Sequence, residues 1–175
     1  MSLRGLVMVN TGDGKGKTTA AFGMVLRAVG HGKRVLIVQF MKGDPDYGEV
    51  RATRACLPQV KLVQAGLPTF VHKGNPSPED LRLAAHGWAE AKAALASGEY
   101  DLVVLDELNI AMDYGLVPLR EVLSALEERH DGVDVIVTGR YAPQALLDLA
   151  DTVSEVMEVK HHYRRGHEAR EGIEH

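Results

Sequence analysis

Residues 11–21 read TGDGKGKTTAA, and the run before them, LVMV at 6–9, is apolar and preceded by Gly5. A short apolar run closed off by glycines reads as a buried strand. After the glycines, KTTAAFGMVLRAVG has the character of a helix that opens near Lys17 and closes at Gly30 or Gly32. Strand, glycine loop, Lys-Thr and helix, in that order, make a phosphate-binding loop. Glycines let backbone N–H groups turn inward on phosphate oxygens, and the helix N-terminus adds partial positive charge. The spacing is unusual. The general pattern is G-x-x-x-x-G-K-[ST]; Gly16, Lys17 and Thr18 fit its end, but its first position falls on Thr11. The glycines stand instead at 12, 14 and 16, with a second lysine, Lys15, between them. The residues expected to hold a nucleotide's phosphates are Gly12, Asp13, Gly14, Lys15, Gly16, Lys17, Thr18 and Thr19. In that set Lys17 is a point charge and Thr18 offers a hydroxyl to magnesium.

Outside this stretch the pattern alternates short β-branched runs with longer helical ones. Strands are expected at 34–40, 60–64, 100–107, 133–139 and 152–159, and helices at 77–98, 118–129 and 143–150. The 77–98 helix carries its own start signal: Ser77 as N-cap, Pro78 at the first helical position and acids in the first turn. Its Leu81, Ala84, Trp88, Ala91 and Leu95 step by three or four, so Trp88 belongs to a core stripe. Strands alternating with helices predict an α/β fold, a mostly parallel sheet with helices on both faces. The chain, residues 1–175, is expected to form one nucleotide-binding domain with a polar tail from about residue 160. MKGDPDYGEVRATR and AGLPTFVHKGNP read as long loops at the carboxyl end of the sheet, where ligands of such folds sit.

Composition narrows the classes. Apolar residues are 45% and charged residues 25%, with a net charge of −4, so nothing draws the whole chain toward nucleic acid or an anionic membrane. One cysteine, Cys56, excludes an internal disulfide framework and suits a reducing cytoplasm. No apolar run is long enough to span a bilayer, and the first residues do not read as a signal peptide.

The partner of the phosphate loop is YDLVVLDE at 100–107, an apolar strand that ends in Asp106 and Glu107. Acids at the end of such a strand meet the metal of a nucleotide directly or through water, the Walker B role. Thr18, Asp106 and Glu107 are therefore the expected magnesium set. VIVTGR at 135–140 brings Thr138 and Arg140 to the end of a neighbouring strand, close to the phosphates. For Arg140, nucleotide contact and a plain surface position stand level. For Lys42 and Glu49, in the loop after the second strand, contact and solvation are again evenly weighed. This reading supports a magnesium–nucleotide site and leaves open what happens to the nucleotide. A small ATPase or kinase and a nucleotide-dependent regulator both remain alternatives.

Several segments together carry a resemblance: NTGDGKGKTTAAFG, QFMKG…GE, VVLDELNIAMDYGLVPLREVLSAL, VIVTGR and LLDLADTVSEVMEVKHHYRRGHEAREGIEH. They resemble the P-loop type of ATP:corrinoid adenosyltransferase, in order, from about Leu6 to the C-terminus. The resemblance implies a RecA-like P-loop NTPase fold and a homodimer that needs magnesium. It implies transfer of the 5′-deoxyadenosyl group of ATP to the cobalt of a Co(I) corrinoid, with triphosphate as the leaving group, in cobamide synthesis or salvage. Lys17 and Glu107 become the catalytic pair, and a flavoprotein electron donor is a candidate partner. Some members carry a longer segment ahead of the first strand that helps to cover the corrinoid; this chain starts almost at the strand, so part of that cover is expected to be absent or to come from elsewhere. Relatives can also place two aromatics near the corrinoid's lower face, and the candidates here are Leu67 and Phe70 in AGLPTF. His161, His162 and His167 read better as a basic tail touching phosphate or a partner subunit than as metal ligands.

Overall fold

The computed structural model describes residues 4–69 and 71–174. Its centre is a six-stranded sheet in the order β3-β2-β4-β5-β1-β6, formed by β1 (Val7–Thr11), β2 (Val35–Phe40), β3 (Val60–Ala65), β4 (Leu102–Asp106), β5 (Asp134–Thr138) and β6 (Thr152–Glu155). Every ladder between neighbouring strands is parallel. Side-chain alternation splits the apolar residues of each central strand between two cores. Leu36, Val38, Phe40, Val103, Leu105, Val135 and Val137 pack on one face, beneath α3 (Pro78–Ser97) and α5 (Leu119–Glu127). Val35, Ile37, Leu102, Val104 and Ile136 pack on the other, beneath Ala21 and Val25 of α1 (Lys17–Gly30). Burial on both faces is why these strands read as continuous apolar runs rather than as alternating ones.

The helix signals act as expected. Ser77 accepts the backbone N–H of Asp80 at 3.1 Å and Asp80 accepts that of Ser77 at 2.8 Å, a closed capping box. Trp88 is buried and donates its indole N–H to Glu121 at 3.1 Å. Within α3, Gly87 lies so close to the sheet that an added Cβ would come 2.3 Å from the Cβ of Ala65. Gly87→Ala therefore sets a gain in helix propensity of about 1 kcal/mol against overpacking of about 1–3 kcal/mol. A lower melting temperature is expected in thermal unfolding followed by circular dichroism; an unchanged or higher one would show that α3 can lift away freely.

Two short helices occupy stretches expected to be irregular. α2 (Gly48–Cys56) forms inside the loop after β2, and α4 (Leu108–Asp113) follows β4 at once; α6 (Gln144–Leu149) lies where a short helix was expected. The last strand is shorter than its alternation suggested. It ends at Glu155 rather than 159, because Val156 turns onto the phosphate loop: its N–H donates to Thr11 O at 2.8 Å and its carbonyl accepts from Gly14 at 2.7 Å.

Candidate active site

The spacing of the glycines follows from those contacts. A Cβ on Gly12 would meet the carbonyl of Val156 at 2.5 Å, and one on Gly14 would meet the backbone of Met157 at 2.7 Å. Both glycines are where they are because the chain leaving β6 lies flat on the loop. Gly16 differs: its φ is +118° and no atom comes within 4 Å of where its Cβ would be. It serves the turn into α1 and leaves open space at the helix N-terminus.

Three strand ends and that helix start converge. Gln39 and Asp106 are register partners on β2 and β4, and Thr138 ends β5 beside them. By strand parity all three point to the α1 face, where Thr18 opens the helix. Asp106 is fully buried there. Its Oδ1 accepts the hydroxyls of Thr18 (2.9 Å) and Thr138 (2.7 Å), and its Oδ2 accepts Lys42 Nζ (2.8 Å) and Gln39 Nε2 (3.2 Å). Burial alone would raise the Asp106 carboxyl, but the charge of Lys42 and hydrogen bonds from Lys42, Thr138 and Thr18 hold it below the usual range. Burial likewise opposes the charge of Lys42, and Asp106 and Glu107 outweigh it, so that ammonium titrates above the ordinary lysine range.

Glu107 is the opposite case. It takes the left-handed conformation, φ +59°, a strained position for a residue with a side chain, and its backbone N–H donates to Thr138 Oγ1 at 3.0 Å. Its Oε2 is buried without a hydrogen-bond partner, and the residue lines the open cleft. Burial, then the neighbouring charge of Asp106, push its carboxyl above the usual range. Gly139, φ +120°, passes close by: an added Cβ would stand 3.2 Å from Glu107 Oε2. The carbonyl of Gly139 accepts Asn109 Nδ2 at 2.9 Å. A buried carboxylate oxygen with no partner, next to a threonine hydroxyl and a phosphate loop, fits a hard divalent cation with oxygen ligands.

The cleft has a volume of about 650 Å³, and its walls include the phosphate loop from Asp13 to Thr19. Lys17 is nearly buried and donates to Gly14 O at 2.7 Å; burial lowers its pKa, with the charge of Glu107 opposing. Arg140 reaches across from β5 to Asp13 O at 3.1 Å, which places it at the cleft mouth rather than on a remote surface. Lys42 and Glu49 line the cleft as well. The basic tail folds back over the loop: Lys15 Nζ lies 2.9 Å from Glu174 Oε2, His162 Nε2 lies 3.1 Å from Glu174 Oε1, and His161, Gly172 and Ile173 form part of the wall. Among the described residues no group of three or more histidine, cysteine or acidic side chains could hold a metal ion by itself.

The second candidate pair fares differently. Leu67 is half-buried in the loop after β3 and is not among the residues that line the phosphate cleft; Phe70 lies outside the described residues. What that loop does show is an interlock with the loop after β2. A Cβ on Gly43 would meet Gly66 O at 2.2 Å, and one on Gly66 would meet Lys42 N at 2.5 Å. Beyond it, Lys73 pairs with Asp113 at 2.6 Å and stands 5.8 Å and 5.9 Å from the rings of Tyr114 and Tyr141. Sequence reasoning passed over Gln39, Asn109 and the tail residue Glu174. A lone amide inside the apolar run RVLIVQF, on the strand parity that faces the loop, was the available signal for Gln39.

Comparison with known proteins bears on the chain as a whole. The model of a family described as ATP:corrinoid adenosyltransferase BtuR/CobO/CobP matches residues 3–175. A corrinoid adenosyltransferase of Escherichia coli K12 is 43% identical over 171 residues, covering 98% of this chain and 86% of the relative. The corrinoid adenosyltransferase CobA of Salmonella typhimurium LT2 is similar to the same extent, and one from Pseudomonas aeruginosa PAO1 is 40% identical over 98% of this chain and 84% of its own. Among solved structures, a KaiC-like protein of Pyrococcus horikoshii OT3 matches with a TM-score of 0.49 at 17% identity, over 90% of this chain and 74% of that one, too loose a likeness to bear on function.

Proposed function

The chain belongs to the ATP:corrinoid adenosyltransferase family, and from that premise we propose how its cleft works. The enzyme transfers the 5′-deoxyadenosyl group of ATP to the cobalt of a reduced corrinoid. The electron pair of Co(I) forms the new bond to the 5′-carbon, the bond from that carbon to the α-phosphate oxygen breaks, and its electrons leave with triphosphate. Negative charge therefore grows on the polyphosphate. The observation that carries this reading is the set of cations around one cleft: Lys15, Lys17, Lys42 and Arg140. Preorganised positive charge aimed at a leaving group stabilises it most when water is excluded. The nucleophile belongs to the substrate, so these residues bind, orient and shield.

Thr18 and Glu107 would hold magnesium, with Asp106 behind them; bound magnesium supplies further charge stabilisation to the phosphates. The enzyme acts as a homodimer in the cytoplasm, with electrons from a flavoprotein. A second copy finds exposed apolar side chains at Val153, Met157, Val159 and Tyr163, on and after the edge strand β6. Among the described residues no helix is long and apolar enough to cross a membrane. Phosphorus NMR of a reaction with ATP, magnesium and chemically reduced corrinoid tests the bond that breaks. Triphosphate is expected, in step with adenosylated corrinoid and only when Co(I) is present. ADP and phosphate formed at a comparable rate without corrinoid would point to the hydrolase alternative.

A further inference from the structure

Lys42 stands on two of the three groups at the metal position, Thr18 and the Asp106 behind it. Its Nζ is 2.8 Å from Asp106 Oδ2 and 3.2 Å from Thr18 Oγ1. A carboxylate accepts about four hydrogen bonds, and Asp106 already accepts four, from Thr18, Thr138, Gln39 and Lys42. While Lys42 remains, Asp106 has no acceptor position left for a second cation, and Lys42 takes one of the two lone pairs of the Thr18 hydroxyl.

Charge points the same way. Asp106 and Glu107 carry two negative charges, and Lys42 and Lys17 balance them. A divalent cation alone would leave this shielded group of side chains with two surplus positive charges. Arriving with the four negative charges of a nucleoside triphosphate, the same cation brings no such surplus.

The backbone around Lys42 is constrained on both sides, so any move of its ammonium is a move of the side chain alone. Met41 before it has φ +59°, and Gly43 after it is locked against Gly66 O. Between these points the four-carbon lysine stem can swing its ammonium from the carboxylate to a phosphate.

We propose that Lys42 is a tethered cation that holds the Asp106–Thr18 side of the metal position, so that a divalent metal binds firmly only together with ATP. Lys42 is thus a positioning residue that enforces the order of binding. The inference rests on the reading that a divalent metal accompanies ATP at Thr18 and Glu107.

Mn2+ titrations followed by the protein-dependent enhancement of water-proton relaxation test it, without corrinoid and therefore without turnover. For the natural protein, Mn2+ affinity is expected to rise by at least about a hundredfold when ATP is added, as the 1.4 kcal/mol per decade rule measures it. Lys42→Met should raise the ATP-free Mn2+ affinity by about tenfold or more. Adding Asp106→Asn to Lys42→Met should abolish that gain, which locates it. Equal Mn2+ affinity with and without ATP in the natural protein overturns the proposal and leaves the metal reading intact, and so does a folded Lys42→Met that binds Mn2+ no better than the natural protein. No Mn2+ binding to the natural protein even with ATP overturns the metal reading and this proposal together. Should Lys42→Met fail to fold, Lys42→Arg decides beside the natural protein: it keeps a cation on Asp106, and its ATP-free Mn2+ affinity must stay as low.

Discussion

Lys17→Ala is expected to slow adenosyl transfer by roughly a hundredfold, the cost of about 3 kcal/mol for losing one preorganised charge from a shielded site. The side chain is nearly buried at the start of α1, and its ammonium is held against Gly14 O at 2.7 Å, inside the curve of the loop. It is thus already placed before any nucleotide arrives. A charge placed in advance stabilises developing negative charge without reorganisation, so kcat should fall more than ATP binding weakens. Excess magnesium should not restore the rate, because a metal held at Thr18 and Glu107 cannot stand where the lysine stood. Near-normal turnover, or full recovery with magnesium, would remove Lys17 from the catalytic set.

That expectation rests on little more than the sequence. Glycines, Lys-Thr and an apolar strand before them fix a local structure in which few alternatives exist, and β4 with its terminal acids is equally local. Both cores also follow from local pattern, since strands buried on two faces are apolar at every position. The partners of Asp106 were harder to see. Lys42 lies 64 residues from it in the chain, and only the β2–β4 register brings the end of β2 alongside. From the sequence, contact and solvation stood level for Lys42 because nothing local separates a lysine on a carboxylate from a lysine in water.

The tail and the added helices were hidden for related reasons. The close approach of Val156 and Met157 to the loop is carried by glycines that already had an explanation in phosphate binding, so a second cause for Gly12 and Gly14 had no separate signature. α2 buries only Val50 and Thr53, one side of a short helix, which is too few apolar positions to show a period. α4 has six residues and directly follows a strand. Its existence depends on Glu107 taking a left-handed turn, which a sequence expresses only weakly when the residue is not glycine.

Glu107→Gln is expected to do two opposite things. Transfer should fall by about a hundredfold, as for Lys17→Ala, because the unpartnered Oε2 is the group available to a metal. High magnesium should partly restore it, since Thr18 and Asp106 remain. Stability should move the other way. The folded-state carboxyl titrates above its usual value of 4.5, chiefly through burial and then through the charge of Asp106. The folded protein therefore holds that proton more tightly than the unfolded chain does. Below 4.5 the group is protonated in both states and costs nothing; as pH rises through the raised folded value the penalty of the buried charge grows to its full size. A neutral amide of the same shape does not carry that penalty. In chelator, without nucleotide, Glu107→Gln should thus melt higher than the natural protein at pH 7, by roughly 2–4 °C for each kcal/mol recovered, and the gap should close as pH falls toward 4. A lower melting temperature at pH 7 would mean that Glu107 is a net stabilising partner of Lys17 and Lys42. A higher one, with transfer lost, identifies a carboxylate held at a cost in stability for the sake of the reaction.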